Sequence, residues 1–153
     1  MRISAVAISA IFSTSLVAVA VQPPPPSSLQ ERVQRASHIF VGVAEHLRVI
    51  DRETGKEVSP EPKSLERLSY FAEIEVQVVE VIRPTSWKPK EKIKIRYGGG
   101  FFSVSRIREG LIGHKLVYLT TQQDSYFGPS YPWYLGEPED KRAEIEALIE
   151  KAK

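Results

Sequence analysis

Residues 70–97 read YFAEIEVQVVEVIRPTSWKPKEKIKIRY, and the reading of this stretch decides the fold. Ile74, Val76 and Val78 alternate with Glu73, Glu75 and Gln77, the period-two pattern of a strand with one buried face. Ile93, Ile95 and Tyr97 alternate in the same way with Lys92, Lys94 and Arg96. Between the arms, Pro84, Thr85, Ser86, Lys88 and Pro89 supply turn chemistry and block strand continuation, so the segment predicts a long β-hairpin. The phase slips between Val78 and Val79. A β-bulge there, or a strand buried on both faces, reconciles the two halves. A bulge also tightens twist, and strongly twisted hairpins suit small closed barrels.

On the N-terminal side of the hairpin, His38 opens a strand-like run with Ile39, Val41, Val43, Leu47 and Val49 on one parity and Phe40 opposite. Gly42 marks a kink or a close approach. Before it, Ser28 and Glu31 have capping-box spacing for a short helix ending near Ser37. Residues 51–69, with Thr54-Gly55 and Pro60-Glu61-Pro62, predict a long surface loop in which Leu65 and Leu68 dock one helical turn.

On the C-terminal side, Gly98-Gly99-Gly100 ends the second arm as a turn or bulge. No Gly-Lys-Ser/Thr follows, so this is not a P-loop. A segment containing Phe101, Phe102, Val104 and Ile107 leads into an apolar strand, Leu116 to Leu119, extended by Thr120 and Thr121. Tyr126, Phe127, Tyr131, Trp133 and Tyr134 crowd together next, with Pro132 making that segment an edge strand at best. A helix beginning near Pro138 closes the chain. Its stripe Ile145, Leu148, Ile149 and Ala152 is expected to pack on the barrel or close one end of it.

The first twenty residues read as a targeting segment: Arg2, a mostly apolar run from Ile3 to Val17, and small residues at Ala18 and Ala20. Its five hydroxyl residues, with no basic residue until Arg32, speak against a retained membrane anchor. The expected organisation is a signal peptide over 1–20, a stiff proline-rich spacer over 21–27 and one domain over 28–153, placed in the periplasm or outside the cell. The absence of cysteine excludes disulfide staples, thiolate zinc sites and cysteine nucleophiles. With 21 basic and 19 acidic residues, the charge is too balanced for an electrostatic grip on nucleic acid.

Candidate chemistry is sparse. His38 and His46 on one straight strand stand about 26 Å apart at roughly 3.3 Å per residue, too far to share a metal ion. No serine sits in a nucleophile elbow, and Glu73 and Glu75 fit a strand's solvent face. Neither catalysis, a metal nor a cofactor is expected. The basic row Lys92, Lys94, Arg96 is open to a ligand reading, yet Glu75 and Glu80 on the facing arm predict ordinary cross-strand pairing. The aromatic residues are stronger candidates. Trp87 at the hairpin tip, with Phe101, Phe102, Tyr126, Phe127 and Tyr131, offers contact area of the kind used to bind proteins.

A helix, a strand, a long hairpin, further strands and a closing helix describe a five-stranded OB-like barrel, mainly β. The run RASHIFVGV at 35–43, the hairpin, and LIGHKLVYLTT at 111–121 together resemble the netrin-like domain of tissue inhibitors of metalloproteinases and its bacterial secreted relatives, over residues 30–123 at most. The resemblance implies a netrin-like barrel and, in the animal family, chelation of a protease zinc by an N-terminal cysteine. This chain has no cysteine, so that mechanism does not transfer. The expectation is a non-catalytic, exported module that binds an envelope or extracellular protein, with a protease-inhibitor-like use of the fold implied by the resemblance, and without stable membrane insertion once the leader is removed. The alternative is an OB module for an oligosaccharide or single-stranded nucleic acid, using Lys92, Lys94 and Arg96.

Overall fold

The computed structural model describes residues 27–65, 69–83, 86–98, 103–123, 125–131, 134 and 136–153. The expected signal segment, residues 21–26 of the spacer, and Phe101, Phe102 and Trp133 lie outside them. No helix among the described residues is long and apolar enough to cross a membrane.

The hairpin forms as its alternation requires. Strand β2 (Tyr70–Val81) pairs antiparallel with β3 (Lys92–Gly98), from Phe71 opposite Gly98 to Gln77 opposite Lys92. Strand β1 (His38–Asp51) flanks β2, and the expected phase slip is visible in their register. Val41 faces Glu80 but Gly42 faces Val78, so Val79 is the extra residue, and it is 40% exposed. A second irregularity leaves Glu45 unmatched, between Ala44 opposite Val76 and His46 opposite Glu75. Gly42 is the close approach its sequence position indicated. A Cβ there would stand 2.6 Å from Val76 Cγ1.

Strands β4 (Lys115–Gln123), β5 (Tyr126–Pro129) and β6 (Gly136–Pro138) complete a sheet ordered β1-β2-β3-β5-β4-β6. Because β1 also pairs with β4, from His38 opposite Thr120 to Val43 opposite Lys115, five of the six strands form a ring. Every pairing is antiparallel except β3 with β5, which meet in parallel at Ile95 and Phe127. The protein is therefore mainly β, with one strand more than the five expected. The expectation of an edge strand for the aromatic segment is corrected. Tyr126–Pro129 pairs with β4 on one side and meets β3 at Phe127 on the other, so it lies within the ring rather than at an edge; Pro132 lies outside the described residues.

The helices divide the core. Helix α1 (Leu29–Arg35) carries the expected capping box: Glu31 N donates to Ser28 Oγ, and Ser28 N donates to the Glu31 carboxylate. With α3 (Arg142–Lys151) it covers the outer side of β1 and β4, where Val33, Ala36, Ile39, Val41, Val117, Leu119 and Ile145 form one cluster. The closing helix thus packs outside the ring. It starts later than expected because Gly136–Pro138 is drawn into β6 and Glu139–Lys141 forms a 3-10 turn. The larger cluster lies on the opposite side, built from Phe40, Ile74, Ile95, Tyr118 and their neighbours.

A third helix, α2 (Val104–Leu111), was not expected between β3 and β4. Its buried residues Val104, Ile107 and Leu111 enter the larger cluster, and Ser103 Oγ accepts from Arg106 N at its start. The 51–69 connection is also more structured than a solvated loop. Val58 N donates to Val49 O, Arg52 N to Ser69 O, and Leu65 is fully buried. Leu68 lies outside the described residues.

Candidate functional site

The structure redistributes the sequence candidates. Trp87 does not project from a hairpin tip. The connection turns back, with Ile82 N and Arg83 N both donating to Ile39 O, and carries the indole into the ring. There it stacks on His38 at 4.5 Å and meets Phe127 and Phe40 edge-on at 4.6 and 5.2 Å. Half-buried Trp87 is thus packed against the larger core cluster, which corrects its reading as a side chain with little core to join. Burial among these groups holds the His38 imidazole below its ordinary value of 6.5. Its Nδ1 lies 2.8 Å from Ser37 Oγ, but that hydroxyl also accepts from Gln122 N, so the pair ties β1 to β4 rather than presenting a nucleophile.

Tyr131 lies apart from this group, with Arg35 over its ring at 4.9 Å and Tyr134 at 6.2 Å. Phe101 and Phe102 are outside the described residues. Tyr126 and Phe127, by contrast, stand on β5 beside the basic row of β3. The aromatic candidates and the alternative cationic ones therefore share a groove of about 310 Å³, bordered by Trp87, Lys92, Lys94, Arg96, Tyr126 and Phe127.

The charges on this face are unevenly matched. Lys92 Nζ has two acids, Glu45 at 2.8 Å and Glu75 at 3.1 Å, and this pairing draws the Glu75 carboxyl below its ordinary range. Glu73 instead answers three cations: Arg48 at 2.5 Å, Lys94 at 3.7 Å and Arg96 at 3.9 Å. Cross-strand pairing holds as expected for Glu75. Glu80 is a correction: the β2–β3 ladder ends at Gln77 opposite Lys92, so Glu80 lies beyond the basic row and instead binds Arg142 of α3 at 2.5 and 2.8 Å on the outer face it shares with Val41.

Arg96 is the hub of the face. Its guanidinium carbon lies 4.9 Å from the Phe71 ring centre and 5.0 Å from that of Tyr126, within cation–π range of both. It borders two further depressions. One, of about 340 Å³, runs between Arg52, Phe71, Tyr126 and Ser130. The other, of about 210 Å³, lies between Arg48, Arg52 and Glu57. Sequence reasoning missed Arg48, Arg52 and Phe71. Phe71 and Arg96 sit on arms whose register was legible, but Arg52 joins them only through the fold of the 51–69 connection.

Glu45, His46 and Glu75 bring three possible metal-ligating atoms within 4.8 Å of one another. Lys92 already pairs with both carboxylates, so the trio is an ion-pair cluster. Comparison with protein-family models, curated proteins and solved structures finds no match to this chain.

Proposed function

We propose that this chain is a non-catalytic, exported binding module built on an OB-like barrel, and that the β2–β3–β5 face takes up its ligand. An OB-fold is a five-stranded Greek-key barrel that presents its second and third strands, with the 1–2 and 4–5 loops, to oligomeric ligands. The ring order β1-β2-β3-β5-β4, with a parallel β3–β5 closure and α2 between β3 and β4, supports that assignment. The carrying observation is that Arg96, at the centre of the corresponding face, borders all three depressions. Arg52 comes from the 1–2 connection, and Tyr126 follows the 4–5 connection. The netrin-like resemblance agrees with this fold. This ranks the ligand-binding alternative above the protein-capture reading, since Trp87, the leading protein-contact candidate, faces inward.

The test is an amide NMR titration of the labelled protein with oligosaccharides and with single-stranded DNA. Shifts concentrated at Arg52, Phe71, Arg96 and Tyr126 are expected. Saturable binding that leaves these four unmoved overturns the proposal. One observation favours a second reading, capture of an envelope or extracellular protein by strand addition. Among the described residues, the outer edge of β3 from Lys92 to Lys94 has no strand partner. In that case a protein ligand shifts Lys92 to Lys94 and leaves Arg52 unchanged.

A further inference from the structure

We infer that the depression between Arg52 and Arg96 recognises the carboxylate of an acidic sugar, so that the ligand of the face is an acidic oligosaccharide. This rests on the ligand-binding reading above and names its substrate class.

Glu73 is shared among Arg48, Lys94 and Arg96, and among the described residues Arg52 has no carboxylate within ion-pair distance. Positive charge is thus in surplus inside the Arg52–Arg96 depression, whose lining among the described residues holds both guanidinium groups and no carboxylate, while Asp51 and Glu57 stand in the adjoining one. At the Lys92 end it is cancelled by Glu45 and Glu75. A polynucleotide carries a phosphate at every nucleotide and needs a continuous cationic track. A track cancelled at one end fits better a ligand whose charges are sparse.

Arg96 lies between the Phe71 and Tyr126 rings, and the Arg52 guanidinium carbon is 5.5 Å from the Phe71 ring centre. Phe71 is only 7% exposed, so it backs the guanidinium groups rather than offering a free face on which a base could stack. Planar guanidinium groups held in this way are prepared for bidentate recognition of a carboxylate. Gly98 makes room for one of them, since a Cβ at that position would run into Arg52 Nη2.

Thr121, Gln123 and Ser130 border the same depression. Ser130 is 7% exposed, and its hydroxyl has no hydrogen-bond partner among the described residues. A hydroxyl so enclosed is not offered to a ligand, so the accessible polar contacts of the depression come from Thr121 and Gln123. A sugar brings both hydroxyls and a carboxylate. At about 340 Å³ the depression is at the small end of ligand sites, which span about 300–1,000 Å³.

The experiment is calorimetric and NMR titration of the full-length protein with four probes: an octameric polygalacturonate, a neutral oligosaccharide of equal length, dT8 and inorganic phosphate. Arg52→Gln removes the charge, and Gly98→Ala displaces Arg52 while keeping it; thermal melts confirm that both fold. Polygalacturonate is expected to shift Arg52 and Arg96, to bind at least tenfold tighter than the neutral chain, and to lose at least tenfold in either variant. Equal binding of the neutral chain, indifferent to Arg52→Gln, overturns the acidic-sugar inference while leaving the ligand face in place. Tighter binding of dT8 overturns it in favour of nucleic acid, and phosphate binding as tight as polygalacturonate overturns the assignment to a sugar. If no probe perturbs the face, this inference and the reading beneath it both fall.

Discussion

Trp87 stands between Ser86 and Lys88 in a proline-rich turn, and nothing beside it in the chain announces the rings of His38, Phe40 and Phe127 that enclose it. Its partners come from strands whose pairing is fixed far away in sequence. Local composition therefore indicated a surface residue. Trp87→Ala opens a cavity among these rings and is expected to cost about 3 kcal/mol in a urea melt, the lower end of the range for truncating a large aromatic residue. Tyr118 gives the contrasting case. It is fully buried, stacks on Phe40 at 5.3 Å, and its hydroxyl has no hydrogen-bond partner among the described residues. Burial pushes that hydroxyl's ionisation well above its ordinary value of 10. Tyr118→Phe keeps the ring and removes the desolvated oxygen, so the same melt should show no loss, or a gain of up to about 1 kcal/mol.

At the scale of elements, what was legible was what the chain specifies locally. The two hairpin arms, the slip at Val79, the Ser28–Glu31 capping box and the β4 run each depend on residues only a few positions apart. Helix α2 was missed although Val104, Ile107 and Leu111 have helical spacing, because Gly110 and the preceding glycine run read as loop. The closure by β5 and the short β6 follow from pairing to β4, which no local pattern records. For the site, Arg96 and Tyr126 were legible as candidates, while Arg52 depended on how a long connection folds. Helix α1 offers a measurable division between local and distant terms. Its Arg32 ion-pairs with Glu137 of β6 at 2.7 Å, with side chains only 10% and 13% exposed. Glu137→Ala leaves Arg32 buried without its counter-ion and is expected to cost about 3 kcal/mol. Ser28→Ala, which removes only the cap, should cost about 1 kcal/mol in parallel denaturation curves.

For the whole molecule, ionisation sets a stability window. Asp51 is held below its ordinary carboxyl value by hydrogen bonds from Thr54, and Glu80 by the Arg142 guanidinium. Their contributions are complete above the unfolded carboxyl range and are lost as pH falls through the folded values. His38, lowered by burial, resists protonation in the native state, so acidification below about 6.5 favours the unfolded chain earlier still. At the other limit, burial pushes Tyr97 up to about 12, so stability declines as pH rises from the ordinary tyrosine value of 10 towards it. Melting temperature against pH should therefore be flat from about 7 to 9, with an acid shoulder that disappears in His38→Phe. The ring has one more consequence. Its circumference is laddered at length everywhere except between β3 and β5, where the described residues show a single rung, Ile95 with Phe127. A bracelet opens at its clasp, and this one lies beneath the groove shared by Trp87, Arg96 and Tyr126. Any occupant that touches both β3 and β5 fastens the clasp, so its occupancy would be felt as stiffness around the whole circumference as well as at the point of contact.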